Sequence, residues 1–82
     1  MKQFKTLDLA VEFCEMIEGI DFPSHLRDQA LRASSSIALN LAEGNAKNSR
    51  KDKARIYQIA LGSLRECQVI FRLAKIEDKN LL

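Results

Sequence analysis

An all-α fold, an antiparallel helical bundle in one domain (1–82), is what this sequence predicts, and three observations predict it. One proline and three glycines in 82 residues leave few turn signals, so the helices should be long. Apolar residues recur at the three- and four-residue spacing of one helical face in three stretches, about 6–19, 24–43 and 50–77. Short polar or proline-bearing breaks separate them, at Asp21-Phe22-Pro23-Ser24 and from Asn45 to Ser49.

The first helix carries Leu7, Ala10, Val11, Phe13, Cys14 and Ile17 on one face, with Asp8, Glu12 and Glu15 roughly opposite. Thr6 is its expected N-cap, acids sit in the first turn where the helix dipole favours them, and Gly19 ends it. Pro23 fits a helix start, and Ser24 or Asp21 is the expected cap of the second helix. There Leu26, Ala30, Ala33, Ile37 and Leu41 form the apolar stripe. The small residues Ala30, Ala33 and Ala38 let a neighbouring helix approach. Ser34-Ser35-Ser36 is a poor helix former, so its hydroxyls should bond back to the preceding turn or face partners. Gly44 after Glu43 fits a left-handed C-cap. Ser49, with Asp52 three residues on, resembles a capping box for the third helix.

On the third helix Ile56, Ile59, Ala60, Ser63, Cys67, Ile70 and Ala74 make one seam, widened by Tyr57, Leu61, Leu64 and Phe71. An apolar arc this broad predicts burial against more than one neighbour. Gly62-Ser63 puts small residues in mid-helix, where a backbone could come close. Lys79-Asn80-Leu81-Leu82 reads as the first turn of a fourth helix.

Composition excludes several classes. The chain is 46% hydrophobic and 29% charged, which suits a folded protein rather than a disordered one. No basic-then-apolar leader opens it, and no apolar run approaches the roughly 18 residues of a membrane span, so the expected location is the cytoplasm, with no membrane partner. Cys14 and Cys67 lie inside apolar patterns and read as free thiols. A core this small is modest alone, and self-association is the simplest remedy.

The net charge of +2 matters less than its distribution. Asp8, Glu12, Glu15, Glu18 and Asp21 stand without a Lys or Arg between 8 and 21, a net −5. Lys47, Arg50, Lys51, Lys53 and Arg55 stand against Asp52 alone between 47 and 55, a net +4. Either the two segments pair, within or between subunits, or the basic one binds an external anion. By helical projection Arg65 and Arg72 extend the basic set, and Arg27 and Arg32 add to it. No groove-reading motif accompanies these cations, so sequence-independent binding of RNA or DNA phosphates is the reading they allow.

A polar line runs through the apolar pattern. Ser36, Asn40 and Glu43 share one edge of the second helix, and Gly62, Ser63 and Glu66 share one of the third. Paired carboxylates at Glu43 and Glu66 would suit acid–base work, but no nucleophile, metal-ligand cluster or second histidine joins them. A buried polar seam that fixes the register of two crossing helices, closed by Gly44, is the better reading. No catalytic residue, cofactor or metal is expected. His25 reads as a surface or capping residue.

The run from Leu26 to Gly44, LRDQALRASSSIALNLAEG, resembles the central motif of the four-helix bundle protein family. That family is also known from intervening sequences in bacterial large-subunit ribosomal RNA genes. Its pattern is roughly Q-x-x-R-A-x-x-S-I-x-x-N-I-A-E-G, matched by Gln29, Arg32, Ala33, Ser36, Ile37, Asn40, Leu41, Ala42, Glu43 and Gly44. A basic, serine-containing turn follows, then I-A-x-G-S-x-x-E, matched by Ile59, Ala60, Gly62, Ser63, Leu64 and Glu66. Leu41 replaces the usual isoleucine. The resemblance covers about 3–76 and implies a four-helix-bundle type of fold with the fourth helix absent, truncated or supplied from elsewhere. It also implies a homo-oligomer such as a pentamer. A related family, the accessory variability proteins of diversity-generating retroelements, forms pentameric, positively charged barrels that bind nucleic acid and a reverse transcriptase. By that analogy the expected function is non-enzymatic: an oligomer that binds RNA or DNA as an accessory factor. The alternative is a purely structural oligomer, or one that binds another protein.

Overall fold

A computed structural model describes residues 3–75, and these form three helices with no strand among them. The first, α1, spans Gln3–Glu18, α2 spans Ser24–Ala46, and α3 spans Arg50–Ala74. Two short turns reverse the chain, so α2 is antiparallel to both neighbours and α1 runs parallel to α3. The backbones of α1 and α3 each pack on α2 and not on one another. The proposed start of a fourth helix at Lys79–Leu82 lies outside the described residues.

The core lies where α2 meets both neighbours. Ala10 and Ile17 from α1 pack on Leu26, Ala30, Ala33 and Ile37, with Cys67, Ile70 and Phe71 from α3 on the other side. Ala30 and Ala33 are almost wholly buried. Small side chains here let the flanking helices approach closely. Three aromatic rings tie the ends of α1 and α3 together. Phe71 stacks on Phe22 of the first turn, with centroids 6.0 Å apart and planes at 9°, and Phe13 meets it edge-on at 6.2 Å. Such pairs add about 0.5–1.5 kcal/mol each beyond the area they bury.

Several local expectations are corrected. Thr6 is not the N-cap of α1, because the helix is already formed at Gln3, and no acid lies in its first turn. Neither Ser24 nor Asp21 caps α2. Pro23 occupies the N-cap, and its carbonyl accepts from Leu26 and Arg27 while no side chain bonds there. Gly44 does not end α2, which continues to Ala46, and no glycine in the described residues has positive φ. Ser49 does cap α3, its hydroxyl accepting from the Asp52 amide at 3.0 Å. At the far end Lys75 takes the left-handed conformation, φ 58°, and its amide bonds back to Arg72, so α3 stops at Ala74, and the rest of the stretch expected to 77 lies outside the described residues.

The breadth of the apolar arc on α3 also resolves differently. Ile56, Ala60, Cys67, Ile70 and Phe71 are buried, but Ile59, Tyr57, Leu61 and Leu64 are exposed. Among the described residues α3 has one close helical neighbour instead of two, which leaves its flanks uncovered.

Candidate functional site

The polar seam is built on the face of α2 that meets α3. Asn40 Nδ2 donates to the Ser36 carbonyl at 2.8 Å and to Ser36 Oγ at 3.0 Å. Ser63 Oγ donates to Ser36 Oγ at 2.9 Å across the two helices. One hydroxyl thus accepts from two directions and fixes where α3 crosses α2. Ser36, Asn40 and Ser63 are all half-buried.

Glu43, Gly62 and Glu66 are not members of this hydrogen-bonded run. Glu43 is exposed and pairs with Lys47 one turn on, at 3.6 Å. Glu66 faces Arg32 of α2 at 2.7 Å. Each carboxylate therefore meets its own cation and not the other carboxylate. A Cβ added at Gly62 would meet nothing within 4 Å, so no backbone of another described element approaches it.

Gly44 closes the seam by a different device from a left-handed cap. It is buried in the helix, and a Cβ there would lie 2.5 Å and 2.9 Å from two carbons of the Tyr57 ring. Tyr57 then donates from its hydroxyl to Asn45 Oδ1 at 2.6 Å. Ring on glycine and hydroxyl on asparagine together clamp the end of α2 to the start of α3. This clamp sets the path of the basic turn between them. Sequence reasoning missed Asn45 and read Tyr57 as ordinary packing. The signal was present, since a glycine and an amide lie in the last turn of one helix and the next carries an aromatic residue two turns from its start.

The serine run divides its labour. Ser34 is fully buried and bonds back to Leu31 O at 3.2 Å, with Cys14 Sγ 3.7 Å away. Ser35 meets Cys14 Sγ at 3.5 Å, and Ser36 belongs to the seam. Both cysteines are free thiols. Burial pushes the Cys67 thiol from 9.0 up to about 11, with smaller contributions from Glu66 and Cys14. A thiol held neutral in this way is a poor nucleophile near neutral pH. Among the described residues no three His, Cys, Asp or Glu gather to hold a metal ion. His25 is exposed at the start of α2.

The basic residues sit on the surface of the turn and of α3. Arg50, Lys51, Arg55, Arg65 and Arg72 are exposed, and Lys47 and Lys53 are half-exposed. Only Lys47 among them has an ion-pair partner in the described residues. No ion pair joins the acidic α1 to α3 among those residues, so the two segments do not neutralise one another inside the subunit. Arg32 pairs with Glu66 at the surface, while Arg27 is exposed.

A model of the 23S rRNA-intervening sequence protein family matches residues 2–79. This chain belongs to that family. The match covers all three helices, including the seam and the basic turn. No curated protein and no solved structure matches the chain. No described helix is long and apolar enough to cross a membrane.

Proposed function

We propose that this member of the family is a non-enzymatic, self-associating helical module that binds nucleic-acid backbone without reading sequence. The observation that carries the reading is the set of exposed cations from Arg50 to Arg72, which has no carboxylate partner among the described residues. Cations held along one rigid helix present an ordered row to a polyanion. Phosphate binding of this kind draws its free energy from counterion release, which depends on the number of charges and not on base identity. The family name points to ribosomal RNA genes, and a backbone binder is compatible with either RNA or DNA. Several copies in one assembly would raise both the field and the avidity. The separate ion pairs of Glu43 and Glu66, and the neutral Cys67, support a role without catalysis.

The test is a salt titration with fluorescent single-stranded RNA, single-stranded DNA and duplex. Affinity should fall with salt at a log–log slope of about −0.7 per neutralised phosphate for single strands and about −0.9 for duplex. Charge reversal at Arg50, Lys51 and Arg55 should weaken all three probes alike and flatten the slope. Binding that ignores salt, or that survives those reversals, overturns the proposal.

A second reading has its own observation. Tyr57, Leu61 and Leu64 on α3 face Leu9 of α1 across a groove that is uncovered among the described residues, which favours a purely structural or protein-interacting oligomer. Absence of nucleic-acid binding at low salt, with assembly intact, selects that reading.

A further inference from the structure

Two outer faces of the bundle point away from the groove between α1 and α3. One lies over α1 and α2. There Val11 and Leu39 are 43% and 70% exposed, and Glu15 and Glu18 stand on the α1 side. The other is the flank of α3 next to α2, opposite Leu61 and Leu64 by helical projection. It exposes Ile59, Val69 and Leu73, at 45%, 52% and 63%. Gly62 lies among them, and a Cβ built there meets nothing within 4 Å. A mid-helix glycine weakens a helix, and no other described element comes close enough to this one to require it. Arg65 is exposed at the edge of the same flank, and Glu66, the acid on it, is already paired with Arg32.

We infer that the α1–α2 face of one copy of the chain seats on the α3 flank of the next, head to tail. The two faces are complementary in charge and in relief: acids beside apolar knobs on one, an arginine beside a glycine gap on the other. Their heights along the bundle agree as well. Cys14 meets Ser35 at 3.5 Å and Ser36 meets Ser63 at 2.9 Å, so Val11 stands about level with Gly62, and Glu15 with Arg65. Leu39, further along the antiparallel α2 than Ser36, comes about level with Ile59. A rotation about an axis parallel to the helices keeps these heights. It brings Val11 of one copy over Gly62 of the next, Glu15 to Arg65, and Leu39 to Ile59. An operation without rise closes into a ring instead of a filament, and the angle between the two faces sets the subunit number, odd or even. A nucleic acid would meet the cations and leave Ile59, Val69 and Leu73 in water, and a foreign acidic helix would leave the α1–α2 face unused.

This inference rests on the self-association proposed above and names the two surfaces responsible. Multi-angle light scattering and sedimentation of the full chain over a range of concentrations test it, with one closed oligomer expected. Gly62→Leu should give a monomer whose helices persist by circular dichroism, because the added side chain meets open space inside the subunit and favours the helix. Val11→Asp with Leu39→Asp should also give a monomer. Each of these variants keeps one intact face, so an equal mixture of the two should form a dimer containing one copy of each, which only a head-to-tail contact allows. Glu15→Arg alone and Arg65→Glu alone should each weaken assembly at least tenfold, and the two combined should return it to within threefold of the wild type. Assembly unmoved by G62L, a mixture that stays monomeric, or a double reversal no better than the singles would overturn these surfaces and leave self-association standing. A wild type that is monomeric at every concentration would overturn both. Arg50 and Lys51 lie beyond the described start of the neighbour's α1, so Arg50→Glu with Lys51→Glu should lose nucleic-acid binding and keep its subunit number. Loss of the oligomer in that variant would overturn the contact, whereas loss of nucleic-acid binding alone would leave it intact.

Discussion

Gly44 is the residue at which two physical demands collide most directly. Inside a helix, glycine costs about 1 kcal/mol relative to alanine. Here it is retained because the Tyr57 ring occupies the place of a side chain, 2.5 Å from where a Cβ would sit. Gly44→Ala should therefore gain helix propensity and lose more through the displaced ring and the Tyr57–Asn45 bond. The expected net is a loss of about 1 kcal/mol, given that overpacking costs roughly 1–3 kcal/mol. In a Tyr57→Ala background the sign should reverse, because only the propensity remains. Urea unfolding of the four proteins of that cycle checks it, and Gly44→Ala destabilising equally in both backgrounds would refute the clamp. Cys67 makes a second residue-level prediction. Its thiol ionises at 9.0 when unfolded and at about 11 in the fold, because burial opposes the charged form. Between those values the unfolded chain has released a proton that the folded chain keeps. Stability from this group is thus fully present below pH 9 and is lost as pH rises through 11. Cys67→Ala should flatten that alkaline decline, measured as the difference in urea midpoint between pH 8 and pH 10.5.

At the scale of elements, α3 shows how far local chemistry reaches and where it stops. Its start was legible because a serine N-cap needs only Ser49 and the Asp52 amide, both within one turn. Its core was largely legible too, since Ile56, Ala60, Cys67 and Ile70 share one projected stripe and are buried. Ile59 misled, because periodicity reports that a residue is apolar without reporting whether a neighbour exists to cover it. The polar seam was legible as spacing and illegible as partnership. Ser36, Asn40 and Ser63 do bond. Glu43 and Glu66 share the same helical edges yet turn to Lys47 and Arg32, because a carboxylate gains more from a cation than from half-buried hydroxyls. Gly44 was read from a rule about helix ends, which is local. Its actual constraint comes from a ring 13 residues later in sequence, which no window of α2 contains. The basic row was legible as charge. That α1 does not neutralise it within the subunit depends on helix order, with α2 between them.

At the scale of the whole molecule, the order α1–α2–α3 with α2 in the middle implies an uneven stability. The backbone of α2 is packed on both sides, whereas α1 touches α3 through side chains such as Phe13 against Phe71. Local openings require less free energy where fewer buried contacts must break. The amides of α2 and the middle of α3 should accordingly exchange only by global unfolding, while α1 opens first as a unit. Phe13→Ala sharpens the point. Phe13 is half-buried, so the loss should be roughly 2 kcal/mol, below the 3–5 kcal/mol of a fully buried phenylalanine. Much of that loss should fall on α1, because Phe22 still stacks on Phe71 at 6.0 Å and keeps the first turn attached to α3. Native-state hydrogen exchange resolves this residue by residue. The α2–α3 hairpin should keep most of its protection in the variant, held by the Ser36–Ser63 bond and the Gly44–Tyr57 clamp, while protection in α1 falls by one to two orders of magnitude. Equal losses in all three helices would mean that the bundle unfolds as one unit, and that the docking of α1 is not separable from the α2–α3 crossing.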